Sequence, residues 1–147
     1  MRRKWVLAVV LAFPAACAGW IAWTVVTVLT ADPITQVEAA SCEDAMRYAD
    51  QDGLPQGAHH AKCTVRVWLD TTYEARFTLT RADLGTWLKE AYPGTVLTSE
   101  ACLGEPLDAC AHIDLNPAAD GGAMAIDMDV QYGKDSTAVV DFWAYDV

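Results

Sequence analysis

Few side chains in this chain of 147 residues can do chemistry: three histidines, five cysteines and a surplus of carboxylates. His59 and His60 stand side by side in "LPQGAHH", and His112 lies far along the chain. Imidazoles bind metals and move protons near neutral pH, but a histidine pair in a Gly/Pro-containing loop is ordinarily solvated. A Cys–His nucleophile needs a free thiol. No GxSxG, HExxH or phosphate-cradling glycine motif occurs. Carboxylates abound, yet nothing selects two of them as an acid–base pair for glycoside chemistry. "DLNPAADGG" offers oxygens at Asp114, Asn116 and Asp120, without the spacing or distal Glu of a calcium loop. It reads as a hairpin loop closed by Asp120-Gly121-Gly122. The expectation is therefore no enzyme and no cofactor.

The cysteines carry a firmer signal. Cys17 falls in an apolar run, while Cys42, Cys63, Cys102 and Cys110 follow it. An even set in an oxidising compartment reads as two disulfides. Of the three pairings, Cys42–Cys63 and Cys102–Cys110 close the shortest loops and are expected. The paired CxxC spacing of a zinc site is absent.

That compartment depends on the N-terminus. From residue 5 to residue 29 there are 25 residues without a charge. As a helix they extend about 37 Å, against a hydrocarbon core of about 30 Å. Signal-peptide apolar regions are shorter. Cleavage after Ala18 would leave a mature end still rich in apolar residues, and Pro14 stands where a lipoprotein signal requires an aliphatic residue before Cys17. Arg2, Arg3 and Lys4 precede the run, whereas Asp32 and Glu38 follow it. The positive-inside rule puts the N-terminus in the cytoplasm and the rest outside. The expected organisation is a tail at 1–4, a transmembrane signal-anchor helix at 5–31, a juxtamembrane helical segment at 32–53 and an extracytoplasmic domain at 54–147.

Beyond the span, seven basic residues face twenty acidic ones, a formal charge of −13. Nucleic acid is excluded as an electrostatic partner, and an anionic lipid surface is repelled. The apolar content is too high for disorder.

Two periods run through the domain. Cys63, Val65, Val67 and Leu69 alternate with Thr64, Arg66, Trp68 and Asp70; Tyr73, Ala75, Phe77 and Leu79 alternate with Glu74, Arg76, Thr78 and Thr80. These are two half-buried strands of a hairpin joined through Asp70-Thr71-Thr72. Arg66, Trp68 and Arg76 fall on its outward face, where a Trp between cations could anchor a protein partner. Packing of Trp68 under the N-terminal helix is the alternative. Thr80 and Asp83 cap a helix carrying Leu84, Trp87, Leu88 and Ala91, which Pro93-Gly94 ends. "TVLTSE" and "AHIDL" read as short strands. The whole is an α+β domain: a small antiparallel sheet with one or two helices on a single face.

The last two strands fix their own register. A two-residue loop at Lys134-Asp135 would mix polar and apolar residues on both faces. A slip of one pairs Val130 with Val140, Met128 with Phe142 and Ile126 with Ala144, giving one wholly apolar face and an odd loop length. It also sets Asp129 against Asp141 and Asp127 against Trp143, and like charges across strands destabilise. Solvent screening is the leading relief, a neighbouring Arg66, Arg76 or Lys the next. The third is a weak divalent cation, for which Asp127, Asp129 and Asp141 are the candidate ligands.

These features describe a single-pass membrane protein whose domain serves as a protein-interaction or accessory module of an envelope complex. A sensor domain for a small ligand or divalent cation is the alternative, and a small secreted protein released by signal cleavage is third.

Overall fold

The computed structural model describes residues 19–21, 23–24, 37–100, 102 and 107–146. The chain divides into two units, Met1–Gln36 and Val37–Val147. In the first, residues 19–21, 23 and 24 are helical. Tail and span thus lie almost wholly outside the described residues, among which no helix is long and apolar enough to cross a membrane.

The second unit is built on one six-stranded antiparallel sheet. Its strands are β1 (Val37–Ala39), β2 (His59–Val67), β3 (Thr71–Thr80), β4 (Ala109–Asp114), β5 (Ala125–Tyr132) and β6 (Thr137–Tyr145). They are ordered β1-β2-β3-β6-β5-β4. Two helices, α1 (Cys42–Tyr48) and α2 (Arg81–Ala91), pack on one face: α1 over β2 and β3, α2 over β3 and β6. The fold is α+β, as the alternation of periods implies.

Strict alternation builds the core. Phe77 and Leu79 on β3, Ile126, Met128 and Val130 on β5, and Val140 and Phe142 on β6 are all buried. Trp87 of α2 lies edge-on to Phe77, with ring centroids 5.9 Å apart, and 6.2 Å from Phe142. Alanines at 45, 49, 75, 123, 138 and 144 let the helices sit close to the sheet. The β5–β6 register pairs Val130 with Val140, Met128 with Phe142 and Ile126 with Ala144. The connecting loop is Lys134-Asp135-Ser136, an odd length, with Ser136 at φ 57° and Gly133 N–H donating to the Thr137 carbonyl at 2.9 Å. That left-handed third residue is how a three-residue hairpin loop closes.

Both disulfides form as the loop lengths imply. Cys42–Cys63 ties the start of α1 to β2, with Cα atoms 5.2 Å apart, and Cys102–Cys110 ties the preceding loop to β4 at 5.5 Å. The Ser41 hydroxyl accepts from Asp44 N–H and the Thr80 hydroxyl from Asp83 N–H, so both helices are N-capped.

Several elements differ from expectation. Val37–Ala39 is a strand on β2, so the segment 32–53 is not continuously helical. Its Val and Glu suit a sheet edge, and the helix starts only after the Ser41 cap. It ends at Tyr48 rather than Gly53, because Asp50 turns into the left-handed region at φ 60°. β1 and α1 accordingly belong to the same unit as the rest of the sheet. The first hairpin turns at Trp68-Leu69-Asp70, with Thr71 and Thr72 already in β3. Val67 and Leu69, which alternation assigns to the core, are 66% and 79% exposed; α1 reaches that end of the sheet through Tyr48, whose hydroxyl donates to the Thr71 carbonyl at 3.4 Å, and leaves both uncovered. Of "TVLTSE", only Thr98 pairs, through a single bridge to Cys110. His59 and His60 lie on β2, at a register shift with His60 at φ 53°, not in the loop.

The β4–β5 connection is anchored to α1 rather than free. Asp50 Oδ1 accepts from the backbone N–H of Asp120 at 2.8 Å, and Ala123 N–H donates to Tyr48 O at 3.2 Å. A Cβ on Gly121 would stand 2.2 Å from the Arg47 carbonyl oxygen and 2.5 Å from Tyr48 Cα. Both obstacles are backbone, so they cannot swing aside. Gly121→Ala should therefore lower stability by about 1–3 kcal/mol in urea unfolding. Gly53→Ala, where nothing lies within 4 Å, should stay within about 0.5 kcal/mol of the parent.

Candidate functional site

The face opposite the helices is where the polar half of every strand collects. Across the sheet at one level stand Ala39, Thr64, Glu74, Trp143, Asp127 and His112. Two residues along, the row reads Lys62, Arg76, Asp141, Asp129 and Cys110. Trp143 is half-buried at the middle of the first row. On one side of it lies a depression of about 400 Å³ that includes Val96, Thr98, His112, Asp127 and Asp129. On the other lies one of about 310 Å³ that includes Lys62, Glu74, Arg76 and Asp141. The indole forms the ridge between them.

The first depression holds a chain of hydrogen bonds. Tyr145 donates its hydroxyl to Asp127 Oδ2 at 2.9 Å, and Asp127 Oδ1 meets His112 Nδ1 at 2.7 Å. The other ring nitrogen of His112, Nε2, lies 3.2 Å from Asp114 Oδ1. Two carboxylates facing both nitrogens favour the doubly protonated ring. The hydrogen bond accepted by Asp127 is the leading cause, and the His112 pKa is raised above 6.5. Both ring nitrogens are thus engaged by carboxylates. The Tyr145 hydroxyl is pushed up to about 12, first by burial and then by the Asp127 carboxylate.

In the second row Asp129 and Asp141 stand directly opposite. Arg76 relieves one of them: its Nη1 lies 3.0 Å from both Asp141 carboxylate oxygens. Both carboxyls are nonetheless raised. For Asp129 the causes are burial, then Asp141, then Asp127; for Asp141 burial outweighs the opposing pull of Arg76. No salt bridge reaches Asp129 among the described residues.

The sequence-level groupings fare unevenly. Arg66, Trp68 and Arg76 are not brought into one patch. Arg66 and Arg76 share the open face, but Arg66 stands opposite Thr72, four residues from Arg76 along β3, or about 13 Å. Each has its own carboxylate, Arg66 pairing with Glu74 at 3.3 Å. Trp68 lies in the hairpin turn, 61% exposed. Asp127, Asp129 and Asp141 do share the open face. No group of three or more His, Cys, Asp or Glu among the described residues is placed to hold a metal ion. Asp114 turns to His112 and Asp120 is held through its backbone, so "DLNPAADGG" gathers no ligand cage. What sequence reasoning missed is the meeting of His112 with Asp127. Alternation places Asp127, Trp143 and Tyr145 on one face, but joining His112 to them requires the β4–β5 register.

No known family, curated protein or solved structure matches this chain.

The raised His112 pKa sets a sign for pH dependence. Its contribution to stability is complete below the ordinary value of 6.5 and is lost as pH rises through the higher folded value. Thermal stability should thus decline on raising the pH from 6.5 upward, and His112→Gln should flatten that decline. An identical slope in the variant would show that the Asp127 and Asp114 contacts do not hold the proton. Asp129 should show the same sign in the carboxylate range, and Asp129→Asn should raise the melting temperature at neutral pH.

Proposed function

We propose that this chain is a single-pass membrane-anchored extracytoplasmic binding module, an accessory of an envelope complex, which engages its partner through the open face of the sheet. Three features support the anchor. The apolar run at 5–29 is long enough to span, the basic residues precede it, and two disulfides stabilise the domain that follows. The N-terminus is then cytoplasmic and the sheet domain extracytoplasmic.

One observation carries the binding role. Helices cover one face of the sheet, while the other presents a half-buried Trp143 between a depression that includes Asp127 and Asp129 and a second in which Lys62 and Arg76 balance Glu74 and Asp141. An aromatic ridge with Asp127 and Asp129 on one side of it suits a basic partner segment. A Lys or Arg side chain can lie over the indole while its charge meets Asp127 or Asp129. The alternative of a divalent-cation sensor draws on the facing Asp129 and Asp141. Calcium at tens of millimolar should leave the melting temperature unchanged if Arg76 and solvent are the only relief, and a saturable rise abolished by Asp129→Asn would favour the sensor.

Protease added to intact spheroplasts should remove the domain and leave a fragment that keeps Arg2. A mature protein that begins near Gly19 or Ala40 and washes off membranes would defeat the anchor. Photo-crosslinking residues at positions 129 and 131 on the open face should capture an envelope protein. The same residues at 89 and 90 on α2 should not, and equal capture from both faces would defeat the face assignment.

A further inference from the structure

Large apolar side chains are exposed at few places in the sheet unit, and nearly all lie at one end of it. Val67 is 66% exposed, Trp68 61%, Leu69 79%, Val37 48% and Met124 45%. Val67, Trp68 and Leu69 form the tip of the β2–β3 hairpin. Val37 is the Cα partner of Arg66, next to that tip. Met124 N–H donates to the Tyr145 carbonyl at 2.8 Å, and Asp146 beyond Tyr145 donates to Thr71, so Met124 lies at the same end. Val96 is the one exposed large apolar residue of the described sheet unit elsewhere. The other end, at the Lys134-Asp135-Ser136 turn, shows none among the described residues.

The apolar end is also where the chain enters. β1 is antiparallel to β2 and begins at Val37, whose partner Arg66 adjoins Val67. From Leu29, the last residue of the 25-residue apolar stretch, to Val37 there are eight Cα steps, at most about 28 Å of extended chain. A domain tethered so closely and entered at that end has the hairpin tip within reach of the bilayer surface.

We propose that the Val67–Trp68–Leu69 tip, flanked by Val37 and Met124, docks in the headgroup zone of the bilayer to which the chain is anchored. This rests on the membrane-anchor reading above. The chemistry fits that one occupant. Trp prefers the boundary where one side of its ring is wet and the other apolar, and Val and Leu gain by leaving water. The charges beside the tip, Arg66, Asp70 and Asp146, sum to −1, so the contact does not draw on anionic lipid. Membrane attraction by charge alone is ruled out by the −13 of the exterior part. With the tip held, the strands stand away from the surface and the open face of the sheet is left accessible from the side.

The full-length chain, reconstituted in phosphatidylcholine vesicles, tests this. A fluorescent non-natural residue is placed at position 69 in one preparation and at position 134, on the opposite hairpin, in another. Carbonate extraction reads the anchor independently. With the chain retained, lipids carrying a headgroup nitroxide should quench position 69 at least three-fold more than position 134, and Trp68→Ser should remove most of that difference. Equal quenching in a retained chain overturns tip docking while the anchor stands. A blue-shifted but unquenched reporter at 69 also overturns it, in favour of a second copy or a protein partner covering the tip. Extraction by carbonate removes the tether, and both proposals fall together.

Discussion

Val130 against Val140, Met128 against Phe142 and Ile126 against Ala144 are the contacts on which the rest of the domain depends. They form because a slip of one residue would carry every buried side chain of β5 or β6 to the solvent face. β3 then joins β6 through Phe77 opposite Val140 and Ala75 opposite Phe142, which extends the same apolar sheet under both helices. Once the inward set is fixed, the outward set has no freedom. Trp143 must face Asp127, and Asp129 must face Asp141. The geometry of the open face is thus a by-product of burial on the other side.

How legible this was depended on which force decides each element. Where burial decides, as in β5 and β6, alternation alone yields the strands, their register and the odd loop length. Where a local hydrogen bond decides, the sequence is equally plain: Ser41 with Asp44 and Thr80 with Asp83 mark helix starts. Short loops between cysteines likewise fix both disulfides. The reading fails where the outcome rests on what packs above a strand. Val67 and Leu69 alternate correctly with Arg66 and Trp68, yet both stay exposed. It fails again where an edge strand is added by pairing alone, since Val37–Ala39 has three exposed residues and no pattern to announce it.

The candidate site was half visible for the same reason. Its β5 and β6 members fall on one face by period. Its β4 member, His112, is placed by the pairing of Ala111 with Met128 and Ile113 with Ile126. Those pairs become obvious only after β5 is fixed and a bridge from Thr98 has aligned β4. Arg76 was one of several cations that could have met Asp141. Its selection follows from β3 pairing with β6, a contact between strands separated by the whole of α2 and β4–β5.

Individually, the open-face ion pairs are too exposed to stabilise much. Arg76 and Asp141 have side chains 58% and 19% exposed, and Arg66 and Glu74 are 46% and 37% exposed. The core behind them holds these groups in place, so a ligand meets charges already spaced by the sheet and need not order them. Within that frame the Asp129–Asp141 pair breaks the local rule against like charges across strands, and natural sequences tend to break such rules at functional positions. Arg76 answers the violation on one strand only. Burial and neighbouring carboxylates leave Asp129 with its charge disfavoured, so a cationic group arriving from outside would gain more there than at a solvated carboxylate. In the binding role proposed above, that asymmetry would suit a basic segment of a partner protein, with Trp143 beside it to take the aliphatic stem of the incoming side chain.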